Sequence, residues 1–307
     1  MSQVIILGSG PAGLTAALYT ARANLEPIVL EGHQPGGQLT LTTTIENFPG
    51  FPEGVDAWDL MAAMKQQAIR FGATCLPESA IGIDLKKRPY EITTERNRYQ
   101  SQAVIIATGA SARLLGLESE RALLGRGVST CATCDGAFFR DKPIVVVGGG
   151  DSALEEALFL TRFASSVTII HRRSQLRASK VLQDRAMRNE KIHFAWNSVV
   201  QEILDPDKGH VTGVMLRDLE SQKLRHLACE GVFLAIGHTP NTKLFEGQLD
   251  LVNGYIAVTD RTRTSVPGVF AAGDVQDTIY RQAITAAGSG CMAALDCEKW
   301  LDQTTTG

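Results

Sequence analysis

A strand, a glycine-rich turn, a helix and a second strand occur twice in this sequence, and this duplication limits the possible folds most strongly. Residues 4–31 read VIILGSGPAGLTAALYTARANLEPIVLE, and residues 144–172 read IVVVGGGDSALEEALFLTRFASSVTIIHR. Each segment begins with a short β-branched run of the kind that forms buried parallel strands. The repeat therefore predicts two βαβ units, and a length of 307 residues suits about two domains.

Both turns fit the pattern G-x-G-x-x-G/A, which binds the pyrophosphate of a dinucleotide. The first glycine permits a tight turn, the second lets the pyrophosphate approach the backbone, and the third small residue lets the helix pack against the strand. The helix N-terminus then attracts the phosphate charge. Because a strand precedes and a helix follows each turn, two flexible glycine loops are the weaker interpretation. The candidate residues are Gly8, Gly10 and Gly13 in the first turn, and Gly148, Gly150 and Ala153 in the second.

The second strands end in different charges, and this difference predicts different nucleotides. Glu31 lies 23 residues after Gly8, and His171 lies 23 residues after Gly148, so these positions are equivalent. An acid suits a ribose with both hydroxyls free, which favours the adenosine half of FAD or NAD in the first unit. A basic cluster attracts a 2′-phosphate, which predicts NADPH in the second unit rather than a merely solvated basic face. The cluster consists of His171, Arg172, Arg173 and Arg177.

Two further segments predict how the units are connected. Residues 104–109 (VIIATG) and residues 266–275 (VPGVFAAGDV) both resemble buried strands that end in glycine turns. If both belong to the first dinucleotide domain, the second domain is inserted into it. We therefore predict an α/β fold of two nested Rossmann-like dinucleotide-binding domains, with the NADPH domain inserted into the other. The expected ranges are 1–113 with 242–307 for the outer domain and 114–241 for the inserted one.

A Cys-x-x-Cys pair, Cys131 and Cys134, precedes the second phosphate-binding strand by about ten residues. A structural zinc site would need four ligands, but the sequence has no second such pair and the nearest histidine is His171. Two inert buried cysteines are also disfavoured, because polar residues and an acid surround the pair. The spacing instead suits dithiol–disulfide exchange, in which one thiol attacks a disulfide and the other resolves the mixed disulfide. Asp135 could exchange protons with the thiols, or could serve only as a turn or cap residue.

Composition excludes several other classes of function. The net charge of −3 comes without a long basic stretch, so no nucleic-acid partner is expected. No segment offers about 18 consecutive apolar residues, so no membrane span is expected, and a cytoplasmic location is predicted. The remaining cysteines, Cys75, Cys229, Cys291 and Cys297, are interpreted as ordinary packing or surface residues.

With these motifs assembled, the chain resembles the low-molecular-weight, bacterial-type thioredoxin reductases from about Val4 to Leu301. The motifs that carry the resemblance are GSGPAG, GGQLT, ENFPG, IIATGA, CATCDG, GGGDSA, HRR, AIGHTPN, GVFAAGDV and YRQAITAAGSGC. The resemblance implies FAD in the outer domain, NADPH in the inserted domain, a homodimer, and thioredoxin as the protein partner. It also suggests that the inserted domain rotates to present NADPH and the cysteine pair to the flavin in turn.

The resemblance assigns further residues by position. It implies that Cys131 attacks thioredoxin, that Cys134 faces the flavin, and that Asp135 is the acid–base group. The implied FAD contacts are Gly8, Gly10, Gly13 and Glu31 at the adenosine diphosphate, Gly37, Gln38 and Asn47 along the cofactor, Asp274 at the ribityl chain, and Arg281, Gln282 and Ala283 near the flavin ring.

Two other functions remain open on the sequence. Nothing in CATCDG identifies the acceptor, so the enzyme could reduce a glutaredoxin-like protein, a peroxiredoxin or a small disulfide. A protein of another class could bind both nucleotides and use the cysteines only as a redox switch, without turnover. These hypotheses differ in whether an added acceptor supports continuous NADPH oxidation.

Overall fold

The computed structural model describes residues 2–305 and divides the chain into two compact units. Unit 1 comprises Met1–Ser111 and Thr239–Gly307, and unit 2 comprises Ala112–His238. Unit 2 is therefore inserted into unit 1. The chain leaves and re-enters unit 1 two and three residues earlier than the expected ranges place the crossings.

The elements follow one another in the order that a nested pair of α/β units requires. The first segment of unit 1 contains β1 (Ser2–Leu7), α1 (Pro11–Arg22), β2 (Ile28–Leu30), β3 (Thr44–Ile45), β4 (Val55–Asp56), α2 (Ala57–Arg70), β5 (Thr74–Leu76), β6 (Ala80–Asp84), β7 (Tyr90–Thr94), β8 (Arg98–Ile106) and β9 (Ala110–Ala112), the last of which runs through the first crossing.

Unit 2 contains α3 (Glu118–Leu123), β10 (Val128–Ser129), α4 (Ala132–Asp135), β11 (Pro143–Gly148), α5 (Asp151–Leu160), β12 (Ser166–Ile170), α6 (Lys180–Met187), β13 (Ile192–Ala195), β14 (Ser198–Ile203), β15 (Gly213–Asp218), β16 (Leu224–Ala228) and β17 (Gly231–Ala235). The chain returns through β18 (His238–Pro240) to β19 (Leu251–Val252), β20 (Tyr255–Ile256), β21 (Val269–Ala271) and α7 (Ala283–Thr305).

The main sheet of unit 1 has seven strands, with β5, β2, β1, β8 and β21 parallel and β7 and β6 antiparallel. Its central strand β1 explains the uninterrupted apolar run in the sequence. Val4 and Ile6 pack into one hydrophobic cluster, whereas Ile5 and Leu7 pack into another. A strand buried on both faces needs apolar residues at every position. The predicted strands within residues 104–109 and 266–275 are confirmed as the neighbours β8 and β21.

Helices α1 and α7 of unit 1 pack very closely. A Cβ on Gly290 would lie 2.1 Å from the carbonyl oxygen of Ala12, so a side chain at this position of α7 would meet α1. The cluster around them contains mainly small residues, including Ala16, Ala17 and Ala293. This close packing fixes the N-terminal end of α1, which follows the first glycine-rich loop.

Unit 2 repeats the parallel core in a smaller sheet with the order β10, β17, β11, β12 and β13. Alternate residues of β11 again pack on opposite faces, with Ile144 and Val146 in one cluster and Val145 and Val147 in the other. Strands β14, β15 and β16 form a separate antiparallel sheet. Both units thus have the predicted Rossmann-like core. Within residues 2–305, no helix has the length and apolar character needed to cross a membrane.

Candidate cofactor and redox sites

The first glycine-rich loop joins β1 to α1 and is open at its centre. A Cβ on Gly8 would lie 2.3 Å from the carbonyl oxygen of Ala107, and one on Gly13 would lie 2.0 Å from that of Gly8. Neighbouring backbone therefore excludes side chains at both ends of the loop. A Cβ on Gly10, by contrast, would meet no atom within 4 Å. The space beside Gly10 fits a pyrophosphate that approaches the backbone, as this motif requires.

A second glycine segment lies beside this loop. A Cβ on Gly37 would be 3.2 Å from the Cα of Gly10. The hydroxyl of Ser9 connects the same region, because it accepts a hydrogen bond from the Gly36 N–H at 3.0 Å and donates to the Glu31 carbonyl at 3.1 Å. The structure thus brings together three stretches that were assigned to one cofactor from separate motifs.

Glu31 follows β2 and carries a buried carboxylate. Its exposed fraction is only 4%, and the Nζ of Lys65 lies 2.7 Å from Oε1. A buried carboxylate without a counter-charge would be unfavourable, and Lys65 supplies that charge from α2. Nothing in the sequence pattern indicated this lysine, because it lies on a different element and belongs to none of the recognised motifs.

The ENFPG loop and the start of α7 meet in unit 1. The Nδ2 of Asn47 donates to the Oε1 of Gln282 at 3.3 Å, although the residues are 235 positions apart. Ala283 is the first residue of α7. Gln38 lies in the 3₁₀ turn Gly37–Leu41 and is exposed. The structure therefore joins Asn47 directly to the segment predicted to lie near the flavin ring.

Arg281 is held in an unusual backbone conformation just before α7. Its φ is +49°, a left-handed value that non-glycine residues seldom adopt and that often marks functional sites. The side chain is fixed by two contacts of Nη2, to the hydroxyl of Tyr255 at 3.3 Å and to the carbonyl of Thr278 at 2.6 Å. The backbone N–H donates to the Asp277 carboxylate at 3.3 Å. These bonds offset the cost of the strained backbone.

Asp274 lies in the 3₁₀ turn that follows β21. Its pKa is raised to about 6, chiefly by burial and also by the nearby Asp277 carboxylate, while Arg281 opposes the shift. The turn itself is anchored by the hydroxyl of Ser289, which accepts the Gly273 N–H at 2.8 Å. A partly buried carboxyl of this kind is well suited to accept hydrogen bonds from a polyhydroxyl chain.

The second glycine-rich loop, between β11 and α5, has the same construction. A Cβ on Gly148 would lie 2.5 Å from the carbonyl oxygen of Ala235 and 2.6 Å from the Cβ of Ala153. At Gly150 a Cβ would meet no atom within 4 Å. The middle of this loop therefore also has room for a pyrophosphate at the start of a helix.

His171 packs against the backbone of this loop and is buried, with an exposed fraction of 4%. Its Nδ1 is 3.0 Å from the carbonyl oxygen of Gly148, and its Nε2 is 3.0 Å from that of Gln175. A Cβ on Gly149 would come within 2.2 Å of Nδ1, so the ring fills the space beside that glycine. The sequence prediction grouped His171 with phosphate-binding residues, whereas its position joins the glycine loop to the basic loop.

The three arginines of the cluster are exposed, unlike His171. Arg172, Arg173 and Arg177 all lie in the segment between β12 and α6. The backbone N–H of Arg177 donates to the Gly149 carbonyl at 2.8 Å, which holds this segment next to the glycine loop. The basic side chains therefore start from backbone that is fixed beside the candidate pyrophosphate site.

Cys131 and Cys134 form a disulfide, with their Cα atoms 5.3 Å apart. Cys131 is the N-cap of α4, and its Sγ accepts the backbone N–H of Cys134 at 3.2 Å. The hydroxyl of Thr133 lies 3.4 Å from the same sulfur. Donors directed at Cys131 Sγ would stabilise a thiolate there after reduction.

Asp135 follows the pair and is the last residue of α4. Burial raises the pKa of its carboxyl, and a hydrogen bond from Ser129 opposes that shift. A raised pKa keeps the carboxyl protonated closer to neutral pH, which suits a group that must both donate and accept protons. Ser129 lies two residues before Cys131, outside the CATCDG motif, and no sequence pattern indicated a role for it.

The other cysteines have the properties of packing residues. Burial raises the pKa of Cys229 to about 12 and also raises the pKa of Cys297 and of Cys75. High thiol pKa values leave little nucleophilic thiolate. In the part of the chain that the structure describes, no group of three or more His, Cys, Asp or Glu residues could hold a metal ion.

Comparison with known proteins agrees with this arrangement of sites. Residues 2–290 match the family described as pyridine nucleotide-disulphide oxidoreductase. The chain belongs to this family. Thioredoxin reductase from Streptomyces clavuligerus is 57% identical over 303 residues, which cover 97% of this chain and 94% of that protein. Thioredoxin reductase from Rickettsia conorii is 54% identical over 306 residues, covering 98% and 99%.

A solved structure gives the same result for the fold. Thioredoxin reductase from Streptococcus pyogenes superposes with a TM-score of 0.93 at 43% identity, covering 98% of each chain. Similarity over nearly the full length of each protein spans both dinucleotide units and the segment that carries the cysteine pair. The predicted family and the predicted nested fold are therefore confirmed.

Proposed function

We propose that this protein is an NADPH-dependent flavoprotein that reduces the disulfide of oxidised thioredoxin through Cys131 and Cys134. The observation that carries this proposal is the Cys131–Cys134 disulfide within a unit that also has a dinucleotide loop flanked by exposed arginines. Relatives named thioredoxin reductase that align over nearly the full length support thioredoxin as the acceptor.

Unit 1 is proposed to hold FAD. The open side of Gly10 would take the pyrophosphate, and the Glu31 carboxylate would accept hydrogen bonds from the adenosine ribose. Gly37, Gln38 and Asn47 would line the cofactor, with Asp274 at its ribityl chain and Arg281, Gln282 and Ala283 beside its ring. When bound, FAD would accept a hydride from NADPH and supply two electrons to the protein disulfide.

Unit 2 is proposed to hold NADPH. Gly148, Gly150 and Ala153 would shape the pyrophosphate site. Arg172, Arg173 and Arg177 would pair with the 2′-phosphate, which distinguishes NADPH from NADH. His171 was predicted with this group, and its buried ring would contribute by holding the two loops together.

The reduced cysteines would then carry out thiol–disulfide exchange. The Cys131 thiolate attacks one sulfur of the thioredoxin disulfide, and the other thioredoxin sulfur leaves as a thiolate. Asp135, when protonated, gives its proton to that leaving sulfur. The Cys134 thiol loses its proton to the Asp135 carboxylate and attacks Cys131, which releases the second thioredoxin sulfur. One disulfide is formed in the enzyme and one is broken in thioredoxin.

A homodimer and a cytoplasmic location are part of the same proposal. Unit 1 exposes neighbouring apolar side chains, since Ile279 is 74% and Tyr280 is 66% exposed, with Ile284 also exposed nearby. Such a group of apolar side chains supports burial against a second copy. A reducing cytoplasm suits a cysteine pair that cycles between thiol and disulfide. Sedimentation of the purified protein tests the dimer.

The deciding experiment is NADPH oxidation by the purified yellow protein, with and without oxidised thioredoxin, with NADH as a second donor. We expect continuous turnover only with NADPH and thioredoxin together, loss of turnover in Cys134→Ser, and retained turnover in Cys75→Ser. If NADPH bleaches the flavin but thioredoxin supports no turnover, the protein is still an NADPH-dependent reductase, but thioredoxin is not its acceptor. Glutaredoxin-like proteins, peroxiredoxins and small disulfides would then be tested as acceptors. Binding of NADPH without turnover on any acceptor would favour a redox-sensing protein instead.

A further inference from the structure

Ser129 lies beside the cysteine pair in a position that the proposed chemistry has not yet used. It is the last residue of β10 and has an exposed fraction of 4%. Its Oγ accepts the backbone N–H of Cys131 at 3.0 Å. The same hydroxyl is 3.3 Å from the Cys131 carbonyl and also hydrogen-bonds to the Asp135 carboxylate. One buried hydroxyl therefore contacts both the attacking cysteine and the acid.

The hydroxyl of Ser129 has a single proton but faces two acceptors. A serine hydroxyl donates one hydrogen bond and accepts up to two. When Asp135 is ionised, the stronger bond is to the carboxylate, because charged acceptors form stronger hydrogen bonds. When Asp135 is protonated, its own O–H can donate to Oγ, and the serine proton is then free to turn to the Cys131 carbonyl. The Ser129 O–H therefore donates to Asp135 when that carboxyl is ionised and to the Cys131 carbonyl when it is protonated.

We propose that Ser129 is a positioning residue for thiol–disulfide exchange, whose hydroxyl holds the Cys131 backbone and reorients as Asp135 gains or loses its proton. This inference rests on the proposed function of the cysteine pair. It assigns to Ser129 no direct contact with the acceptor disulfide. The residue acts through the orientation of Cys131 and through the ease with which Asp135 gives up its proton.

The effect on proton transfer has a definite sign. Burial raises the pKa of Asp135, and the Ser129 hydrogen bond lowers it by stabilising the carboxylate. Loss of the hydroxyl therefore raises that pKa further and leaves the carboxyl protonated at higher pH. The charged residues on the neighbouring segments are Asp151, Glu155 and Glu156 on α5, and Arg140 after the 3₁₀ turn that follows α4. All of these remain in a Ser129 variant.

The proton balance is unchanged by this role. In each turnover Asp135 gives one proton to the leaving thioredoxin sulfur and receives one from Cys134, and Ser129 only rotates its own O–H bond. A Ser129→Ala variant therefore retains every reacting group. We expect a slower exchange step, because a carboxyl with a higher pKa gives its proton less readily to the leaving thioredoxin sulfur.

The test compares Ser129→Ala, Ser129→Thr and Ser198→Ala as holoenzymes. Ser198 is a matched control, since it is a buried serine of unit 2 whose hydroxyl donates to the Trp196 carbonyl. We expect Ser129→Ala to lower kcat for thioredoxin about tenfold, the scale of one buried hydrogen bond, without changing KM for NADPH or flavin reduction by NADPH. In the plot of kcat against pH, one limb should depend on Asp135 and should therefore be absent in Asp135→Asn. We expect Ser129→Ala to move this limb to higher pH. Ser129→Thr and Ser198→Ala should behave as wild type.

A wild-type kcat and pH profile in Ser129→Ala would overturn the proposal, as would equal losses in Ser129→Ala and Ser129→Thr. If Ser129→Ala does not fold, the test rests on Ser129→Thr, which keeps the hydroxyl. A shifted kcat–pH limb in Ser129→Thr would then contradict the proposed positioning role of that hydroxyl. Failure of the wild type with thioredoxin would count against the proposed acceptor only. The Ser129 comparison would then use the small aromatic disulfide DTNB as the acceptor, with the same expected pH shift.

Discussion

The imidazole of His171 fills the space beside Gly149, such that a Cβ on the glycine would lie 2.2 Å from Nδ1. His171 also contacts the carbonyls of Gly148 and Gln175. The strand-end histidine is therefore part of the support for the glycine loop. In the equivalent position of unit 1, Glu31 is buried too, but its side chain is paired with Lys65.

The contrast between Gly149 and Gly150 gives the first prediction. We expect Gly149→Ala to lower the Tm, because the new methyl group overlaps the buried His171 ring, and overpacking of this kind costs about 1–3 kcal/mol. Gly150→Ala should leave the Tm unchanged, since its Cβ meets no protein atom, but should weaken NADPH binding by occupying the pyrophosphate space. Thermal melts and NADPH titrations of both variants check this. Equal Tm losses in the two would contradict the different surroundings of these glycines.

The exposed arginines give a prediction about donor preference. We expect Arg172→Ala combined with Arg173→Ala to raise KM for NADPH at least tenfold with little change in KM for NADH, because only NADPH carries the 2′-phosphate. Arg185→Ala combined with Arg188→Ala removes the same amount of charge from exposed side chains at the end of α6 and serves as the control. Steady-state kinetics with both donors supply the measurement. A parallel loss with NADPH and NADH would place the arginines outside the phosphate site.

The ion pair between the buried Glu31 carboxylate and the partly exposed Lys65 gives a prediction for stability. Lys65→Met should lower the stability of the flavin-free protein by about 1–3 kcal/mol, since the buried Glu31 carboxylate loses its partner, although Lys65 itself is partly exposed. Glu31→Gln together with Lys65→Met should cost less than the sum of the single changes. Denaturant unfolding of the full-length wild type, the two single variants and the double variant forms a double-mutant cycle that measures this coupling. Strict additivity would show that the 2.7 Å contact contributes nothing.

The raised pKa of Asp274, about 6, gives a prediction for pH dependence. A carboxyl that binds its proton more tightly in the folded state stabilises folding below its ordinary pKa of 3.8, and this contribution is lost as the pH rises through 6. The flavin-free Asp274→Asn variant should therefore gain stability relative to wild type between pH 4 and pH 6, by up to about 3 kcal/mol. Unfolding curves across this range test the sign, and FAD titration of the same variant should show weaker binding.

Comparison of the predicted and observed domain ranges shows that sequence patterns predict strands better than they predict the boundaries between domains. The β-branched runs at the start of the two repeats predicted buried strands, and the structure has β1 and β11 there, because a strand buried on both faces needs an apolar run. The crossings were placed two and three residues late. Loop positions depend on contacts such as the Arg113 N–H bond to the Gly237 carbonyl, which no local pattern encodes.

The sequence by itself determined the duplicated dinucleotide motif, the redox pair and the contrast between Glu31 and His171, because each of these depends on residue type at short, fixed spacing. Only the tertiary structure decided which charged or polar groups from other segments contact these site residues. Packing of distant segments placed Lys65 against Glu31, joined Asn47 to Gln282, and turned His171 towards the backbone while the arginines stayed exposed. The contact of the Ser129 hydroxyl with the Cys131 N–H is local, but it starts from β10, which is held in place by pairing with the distant strand β17.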